Sequence, residues 1–195
     1  TGIRTAAAKK LSAEIRQALE DLNFGQVRFD IEVRQTGNIT PDGADEAEFM
    51  ISVNPGEDLR PLAKIASGGE LSRIMLGIKS VLANKDDTDT LIFDEIDTGI
   101  SGRTAQKVSE KMALIARSHQ VICITHLPQI AAMADIHFLI EKNIKDGFTT
   151  TSINRLSDQE IITELARMLG GSQITDLVMD NAAQMKEFAD NLKKQ

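Results

Sequence analysis

Apolar residues recur along the chain with two spacings, one typical of helices and one typical of strands. From Ile3 to Leu22 they return every three or four residues, which predicts an amphipathic helix. Residues 27–34 and 48–54 alternate apolar and polar side chains, which predicts a pair of half-buried antiparallel strands. The connection between them, residues 36–45, is rich in Gly, Pro and Asp and is expected to form a mobile loop.

A further helix is predicted to begin after Ser67, because apolar residues from Leu71 onward again follow helical spacing. Ser67 and Glu70 lie three residues apart and form a capping-box signature. Gly68 and Gly69 stand between them, although a glycine within a helix costs about 1 kcal/mol relative to alanine. Two such residues in a well-capped first turn indicate a function at this helix start.

Two short apolar segments, 90–94 and 120–125, flank a helix predicted at 104–117. Buried strands separated by a helix are typical of a parallel βαβ unit that is covered on both faces. After it, two strand-like segments flank Ile-Lys-Asp-Gly and predict a β-hairpin, and helices predicted at 157–169 and 175–193 follow. The fold class is therefore α/β.

Composition and charge bear on the class of protein, its binding partners and its redox compartment. The chain has 195 residues, and 42% are hydrophobic and 26% charged, which is typical of a globular protein. Its net charge of −7 disfavours direct binding to nucleic acid or to an anionic membrane. Cys123 is the single cysteine, and its apolar surroundings in the sequence favour a small buried residue in a reducing cytosol.

Acidic residues follow the first of the two apolar strands. Asp94 and Glu95 come at its carboxyl end, which is where ligands bind in parallel α/β sheets. One such carboxylate typically holds Mg²⁺, often through water, and the next can orient or deprotonate an attacking water. Asp97 adds a third acidic group, and the alternative that these residues merely end a strand remains open.

Two other features point to the same chemistry. His126 ends the second apolar strand and is expected to face the same crevice as the carboxylates, with a structural histidine as the alternative. The helix start after Ser67 offers backbone N–H groups of the kind that bind phosphate, and glycine lets the backbone approach such a ligand closely.

Three segments resemble motifs of the ABC-type ATPases and occur in that family's order. "ASGGELSR" resembles the signature motif, "TLIFDEID" the Walker B segment, and "ITHLPQIAAMAD" the switch-histidine loop. Over residues 61–175 the chain is similar to a bacterial, SMC-like branch of this family that acts in DNA repair and recombination. The resemblance implies the carboxyl-terminal lobe of an ATPase head, with a parallel βαβ core, an antiparallel strand pair, a β-hairpin and flanking helices.

The family also implies roles for individual residues, because two of its heads enclose two ATP molecules between them. The residues that would contact the ATP of the opposing head are Ser67, Gly68, Gly69 and Glu70. Asp94 would assist Mg²⁺, Glu95 would be the general base, and His126 would be the switch residue. Arg73, Asp97 and Ser101 would support the interface between heads, and Ser101 stands where the family has an aspartate.

The phosphate-loop motif G-x-x-x-x-G-K-[ST] does not occur in the sequence. This chain alone is therefore expected not to hydrolyse ATP. The resemblance implies that residues 1–23 end a returning coiled coil, that residues 24–195 belong to the head, and that the amino-terminal half of the same head supplies the missing motif. A second head and DNA would be partners of the intact protein, and no membrane would be. The protein would be located in the cytoplasm, at the nucleoid.

Two other functions fit parts of the sequence. The run from Asp94 to Asp97 also satisfies the box of a DExD-type nucleic-acid motor, although such a motor needs a phosphate loop upstream of the box. A non-catalytic dimerisation lobe is the other alternative.

Overall fold

The computed structural model describes residues 1–85, 87–145, 148–171 and 173–194, and these residues form a mixed α/β structure. They divide into two compact units, one made of Thr1–Ile100 with Leu114–Ile124, and the other of Ser101–Ala113 with Thr125–Gln195. Residues 1–23 belong to the first unit, and their predicted role as the end of a coiled coil stays a prediction. Among the described residues, no helix has the length and apolar character needed to cross a membrane.

The first unit combines helices with an antiparallel and a parallel sheet. Its elements in chain order are α1 (Gly2–Asp21), β1 (Arg28–Thr40), β2 (Gly43–Ser52), β3 (Arg60–Pro61), α2 (Gly68–Leu82), β4 (Thr90–Phe93) and β5 (Gln120–Cys123). Strands β1, β2 and β3 pair antiparallel in that order, whereas β4 and β5 pair in parallel. The predicted strand pair and the predicted parallel unit are both confirmed.

The core of the first unit lies between the antiparallel sheet and helices α1 and α2. Its buried side chains come from α1, β1, β2 and α2 and from the residue just before β1. They are Ala8, Ile15, Leu19, Val27, Phe29, Ile31, Ile51, Ile74 and Ile78. The rings of Phe29 and Phe49 meet edge to face across β1 and β2, with centroids 5.6 Å apart. The start of α1 takes no part in this core, because Ile3 is 89% exposed.

The prediction of a loop over residues 36–45 is wrong, because the structure continues both strands through most of it. Pairing extends to Thr40 and Gly43, with a register shift after Gln35 and a turn at residues 41–42. Gly37 and Gly43 have φ values of 74° and 108°, which only glycine adopts without strain. The turn-forming composition thus bends a long hairpin rather than ending it.

Strands β4 and β5 differ from the prediction of a sheet covered on both faces. Leu91 and Phe93 are buried on one face, but Ile92 is 67%, Ile122 44% and Ile124 51% exposed. In the described part of the chain, apolar side chains on the second face of these strands are therefore exposed, which is unusual for parallel strands.

The second unit is built on helices α4 (Pro128–Ala132), α5 (Asp158–Gly170) and α6 (Asp176–Lys193), with a hairpin of β6 (Phe138–Lys145) and β7 (Phe148–Arg155). Helix α3 (Gly102–Ile115) precedes β5 in the chain, and residues of it belong to each unit. The helical core consists of Ala132, Met133, Ile161, Leu165, Ala166, Ala182 and Ala189. The predicted hairpin is confirmed in its strands, whereas its turn residues Asp146 and Gly147 lie outside the described residues.

Candidate functional site

Helix α2 begins where the sequence predicts. Ser67 is its N-cap, in an extended conformation, and its Oγ accepts a hydrogen bond of 3.4 Å from the backbone N–H of Glu70. This is one of the two bonds of the predicted capping box. The acidic side chain of Glu70 also lies in the first turn, where a helix dipole favours negative charge.

The two glycines of this first turn contact a segment of the same chain. A Cβ at residue 68 would overlap Oε2 of Glu95 and lie 3.5 Å from its Cδ. A Cβ at residue 69 would lie 2.9 Å from both the Glu95 carbonyl oxygen and Cβ of Thr98. Approach this close leaves no room for a side chain at residue 69, so the chain's own packing explains that glycine without any ligand.

The segment in contact with the glycines follows β4 directly. Asp94 and Glu95 are both exposed, and Asp94 Oδ1 accepts a hydrogen bond of 2.8 Å from the Glu95 N–H. The chain leaves strand geometry at Glu95, which has a φ of 56°. Positive φ is strained for glutamate, and strain of this kind concentrates at functional sites. A bond of 3.0 Å from the Thr98 N–H to the Glu95 carbonyl then closes a turn.

Arg73 lies inside the first unit rather than on a free surface. It is 7% exposed, and its Nη1 donates to the carbonyl oxygens of Ile96 at 3.2 Å and Thr98 at 2.8 Å. The guanidinium also lies over the ring of Phe24, 5.8 Å from the centroid. Burial lowers the pKa of Arg73, and the negative charge of Glu70 opposes this. These contacts hold Arg73 against its own chain, and the support of the interface between heads that the resemblance implies for it stays a prediction.

The role of Arg73 could have been found from the spacing of small residues on α2. Gly69, Arg73 and Gly77 follow one another at four-residue spacing, and all three are buried. A Cβ at residue 77 would come within 2.8 Å of Leu19 Cδ2, so α1 approaches α2 as closely as the segment after β4 does. A glycine one turn before and one turn after an arginine is a signal of close packing that the apolar pattern misses.

Asp97 is buried, with 4% of its surface exposed, in contrast to Asp94 and Glu95. Its environment includes Cys123, whose pKa is raised to about 12 by burial first and then by the charges of Asp97 and Asp94. The thiol therefore stays protonated at neutral pH and acts as a small apolar group, as its sequence context predicts.

The other two predicted site residues belong to the second unit. Ser101 is exposed just before α3, and its carbonyl accepts a bond of 3.2 Å from the Thr104 N–H. His126 is exposed three residues after β5, next to Thr125, whose Oγ1 accepts from the Leu127 N–H at 3.0 Å. Because the carboxylates belong to the first unit, their expected meeting with His126 stays a prediction.

The exposed groups of the first unit can support phosphate chemistry. The start of α2 is suited to an anion, and Asp94 and Glu95 next to it can accept protons or bind a hydrated cation. Within the described residues, no group of three or more His, Cys, Asp or Glu side chains is placed to hold a metal ion. A hydrated Mg²⁺ shared with a nucleotide needs only one or two carboxylates, so Asp94 fits that role.

Comparison with curated proteins identifies close relatives. A DNA repair protein RecN from Bacillus subtilis (strain 168) is 45% identical over 206 aligned residues, which cover 98% of this chain and 36% of that protein. A DNA repair protein RecN from Vibrio cholerae serotype O1 is 44% identical over 183 residues, covering 93% of this chain and 33% of that protein. The chain thus spans about a third of the length of these relatives. No protein-family model matches the chain.

Solved structures share the fold. An Smc head domain with a coiled coil from Pyrococcus yayanosii aligns with a TM-score of 0.58 at 20% identity, over 84% of this chain and 29% of that chain. A chain from a study of ATP-driven dimerization and DNA-stimulated activation of SMC ATPases aligns with a TM-score of 0.52 at 17% identity, over 88% of this chain and 98% of that chain. At these identities the likeness shows the head fold alone.

Proposed function

We propose, on the premise that this chain belongs to the RecN family of DNA repair proteins, that it forms the carboxyl-terminal part of an ATP-hydrolysing, SMC-like head. In the intact protein, two heads would associate around ATP, and hydrolysis would release them. The observation that carries the proposal is the position of Glu95, exposed after β4 and in contact with the first turn of α2. The relatives and the fold favour this function over a DExD-type motor.

The candidate site residues around the start of α2 and the end of β4 have the following roles in this proposal. Glu95 acts as the general base toward the attacking water, and Asp94 assists Mg²⁺. Ser67, Gly68, Gly69 and Glu70 face the ATP of the opposing head at the start of α2, where the helix dipole favours phosphate. Gly69 also leaves space for residues 95 and 98, which pack where its side chain would lie. When bound, Mg·ATP supplies the phosphoryl group that is transferred to water.

Three further roles rest on the family resemblance. His126 acts as the switch residue, and Asp97 and Ser101 support the interface between heads. Asp97 would do so from a buried position. Ser101 is exposed and provides a hydroxyl where the family has an aspartate.

The amino-terminal part of the same protein is the first partner that we propose. It would cover the open face of β4 and β5, where Ile92, Ile122 and Ile124 are exposed. The relatives are about three times as long as this chain, so they have residues enough for such a cover and for a phosphate loop. Residues 1–23 would lead to it as the end of a coiled coil, which agrees with the exposed start of α1.

DNA is a partner of the intact protein in this proposal. The net charge of −7 argues that direct DNA contacts lie mainly in other parts of the protein. The protein would act in the cytoplasm, at the nucleoid.

The test of this function is ATP hydrolysis by the intact protein with Glu95→Gln. We expect kcat to fall about 10²- to 10⁴-fold, the usual contribution of a general base, while nucleotide binding is kept and dimers accumulate. Glu187→Gln, an exposed substitution on α6, is the matched control and should leave kcat unchanged. Normal turnover by Glu95→Gln would contradict the proposal.

The isolated chain provides a second test. Without a phosphate loop, it should show no ATP turnover above a buffer blank. Turnover that scales with the amount of purified chain, and that Glu95→Gln abolishes, would show that the site is complete without the amino-terminal part.

A further inference from the structure

Consecutive side chains of α2 bond to alternate carbonyls of the segment after β4. Ser72 Oγ donates to the Asp94 carbonyl at 2.9 Å. Arg73 Nη1 donates to the carbonyls of Ile96 and Thr98 at 3.2 and 2.8 Å. We call the side chains of Ser72 and Arg73 the carbonyl clamp. Its bonds lie on both sides of Glu95, one before it in the chain and two after it.

Arginine suits this position because of the shape and charge of its side chain. Its guanidinium presents several N–H donors in a fixed plane, so one group can serve two carbonyls and still stack on Phe24. A buried cation is costly unless its donors are bonded, and here the described partners of those donors are backbone oxygens. A lysine ammonium could donate to a carbonyl, but it has no planar group to stack on the ring of Phe24 and would not reproduce the whole arrangement.

The residue between these bonds is strained. Glu95 has a φ of 56°, which a glutamate keeps only where the surroundings hold it. Gly69 allows the segment to approach, with its Cβ position 2.9 Å from the Glu95 carbonyl, and the clamp then fixes the carbonyls on either side. The direction of the Glu95 side chain therefore depends on α2.

We propose that Ser72 and Arg73 are positioning residues for Glu95. They hold its backbone in the left-handed conformation, and this sets where its carboxylate lies relative to the attacking water. The inference rests on the proposed role of Glu95 as the general base. It predicts that loss of the clamp lowers kcat, because a base displaced by about 1 Å can lose about 10²-fold in rate.

The experiment uses the intact protein with Arg73→Lys and Arg73→Met. We expect kcat to fall about 10²-fold in both, with nucleotide affinity and KM unchanged. Arg16→Met, an exposed substitution on α1, is the control for loss of an arginine. The combination Glu95→Gln with Arg73→Lys should be no slower than Glu95→Gln alone, because Arg73 acts through Glu95.

Ser72 provides a gentler pair of variants in case the arginine variants fold poorly. Ser72→Ala removes the bond to Asp94 and should lower kcat about tenfold, as loss of one hydrogen bond worth about 1.4 kcal/mol would. Ser72→Thr keeps the hydroxyl and should recover most of the wild-type rate. Circular dichroism of each variant checks that the fold is kept.

The outcomes separate the clamp from the function on which it rests. If Glu95→Gln is slow but Arg73→Lys and Ser72→Ala keep wild-type kcat, the clamp is overturned and the proposed function stands. If the double variant is slower than Glu95→Gln by the full effect of Arg73→Lys, Arg73 does not act through Glu95 and the clamp is again overturned. If Glu95→Gln itself turns over normally, both proposals fail.

Discussion

Helices α2 and α5 begin with the same signature, Ser-x-x-Glu, and the structure completes it in two ways. At α5, Glu160 Oε2 accepts from the N–H and the Oγ of Ser157 at 2.8 and 2.6 Å, and these bonds lower the pKa of Glu160. At α2, the described bond is a longer one of 3.4 Å from the Glu70 N–H to Ser67. At the start of α5, the capping hydrogen bonds are made between Ser157 and Glu160 of the helix itself. At the start of α2, residues of another segment pack against the first turn.

The residues between serine and glutamate explain the difference. In α5 they are Asp158 and Gln159, both exposed. In α2 they are Gly68 and Gly69, against which Glu95 and Thr98 pack. The same capping signature therefore only begins a helix at α5, whereas at α2 it also leaves room for a strained segment that carries a candidate catalytic residue.

The largest expected contrast is between the arginines of the two helices. Arg73→Met should lower the free energy of unfolding by about 3 kcal/mol, because two carbonyls lose a buried charged donor. Arg167→Met should cost under about 1 kcal/mol, since Arg167 pairs with Glu164 at the surface. Urea unfolding measures both variants, and equal losses would contradict the contrast.

A smaller contrast is expected at the second helical residue. Gly69→Ala should lower stability by about 1–3 kcal/mol through overpacking against Glu95 and Thr98, although alanine favours a helix. Gln159→Ala should have almost no effect, because residue 159 is exposed. A more stable Gly69→Ala variant would show that Glu95 and Thr98 can shift away from residue 69 at little cost in free energy.

Sequence patterns predicted the helices and the strand pairs, because these depend on local spacing. The patterns failed where contacts between distant segments determine the structure. Residues 36–45 look like a loop by composition but continue the pairing of β1 and β2. The apolar run at β4 suggested burial on both faces, yet Ile92 is exposed because no described element covers it.

The candidate site shows the same division. The positions of Ser67 at a helix cap and of Asp94 and Glu95 after a strand could be predicted from the sequence, since a cap and a strand end are local features. The left-handed conformation of Glu95 and the burial of Arg73 could not, because both depend on how α2 meets the segment after β4. The helix cost of the two glycines marks the start of α2 as unusual, but their close contacts with Glu95 and Thr98 depend on a distant segment and could not be predicted from local spacing.

A still smaller difference in unfolding free energy is expected between the N-cap serines of α5 and α2. Ser157→Ala should lower the free energy of unfolding by about 1 kcal/mol, the usual value for an N-cap serine. Ser67→Ala should cost less, because its bond of 3.4 Å is long and packing against Glu95 and Thr98 also holds the turn. A larger loss at Ser67 would show that the cap, and not this packing, holds the start of α2.

The smallest effect is expected from His137 in the second unit. Its Nε2 is buried and has no hydrogen-bond partner within the described part of the chain. Burial above all, and then the charge of Lys186, lowers the pKa of His137, against a hydrogen bond with the Ala134 backbone. The unfolded chain then binds more protons, so stability is fully present above about pH 6.5 and declines below it.

Thermal unfolding of the wild type and of His137→Gln across this pH interval measures the effect. The wild type should lose more stability on acidification than the variant, which lacks the titrating group. Identical pH dependence would show that His137 is not buried in solution.

The most direct test of the account mixes two inactive variants of the intact protein, Ser67→Arg and Glu95→Gln. If Ser67 and Glu95 of one chain serve different ATP molecules, the mixed dimer contains one site with both wild-type residues, and the mixture should regain ATP turnover. If the mixture stays as inactive as each variant alone, Ser67 and Glu95 serve the same ATP. That result would contradict the two-head site and would give the contact of Glu95 with Gly68 a catalytic meaning within one chain.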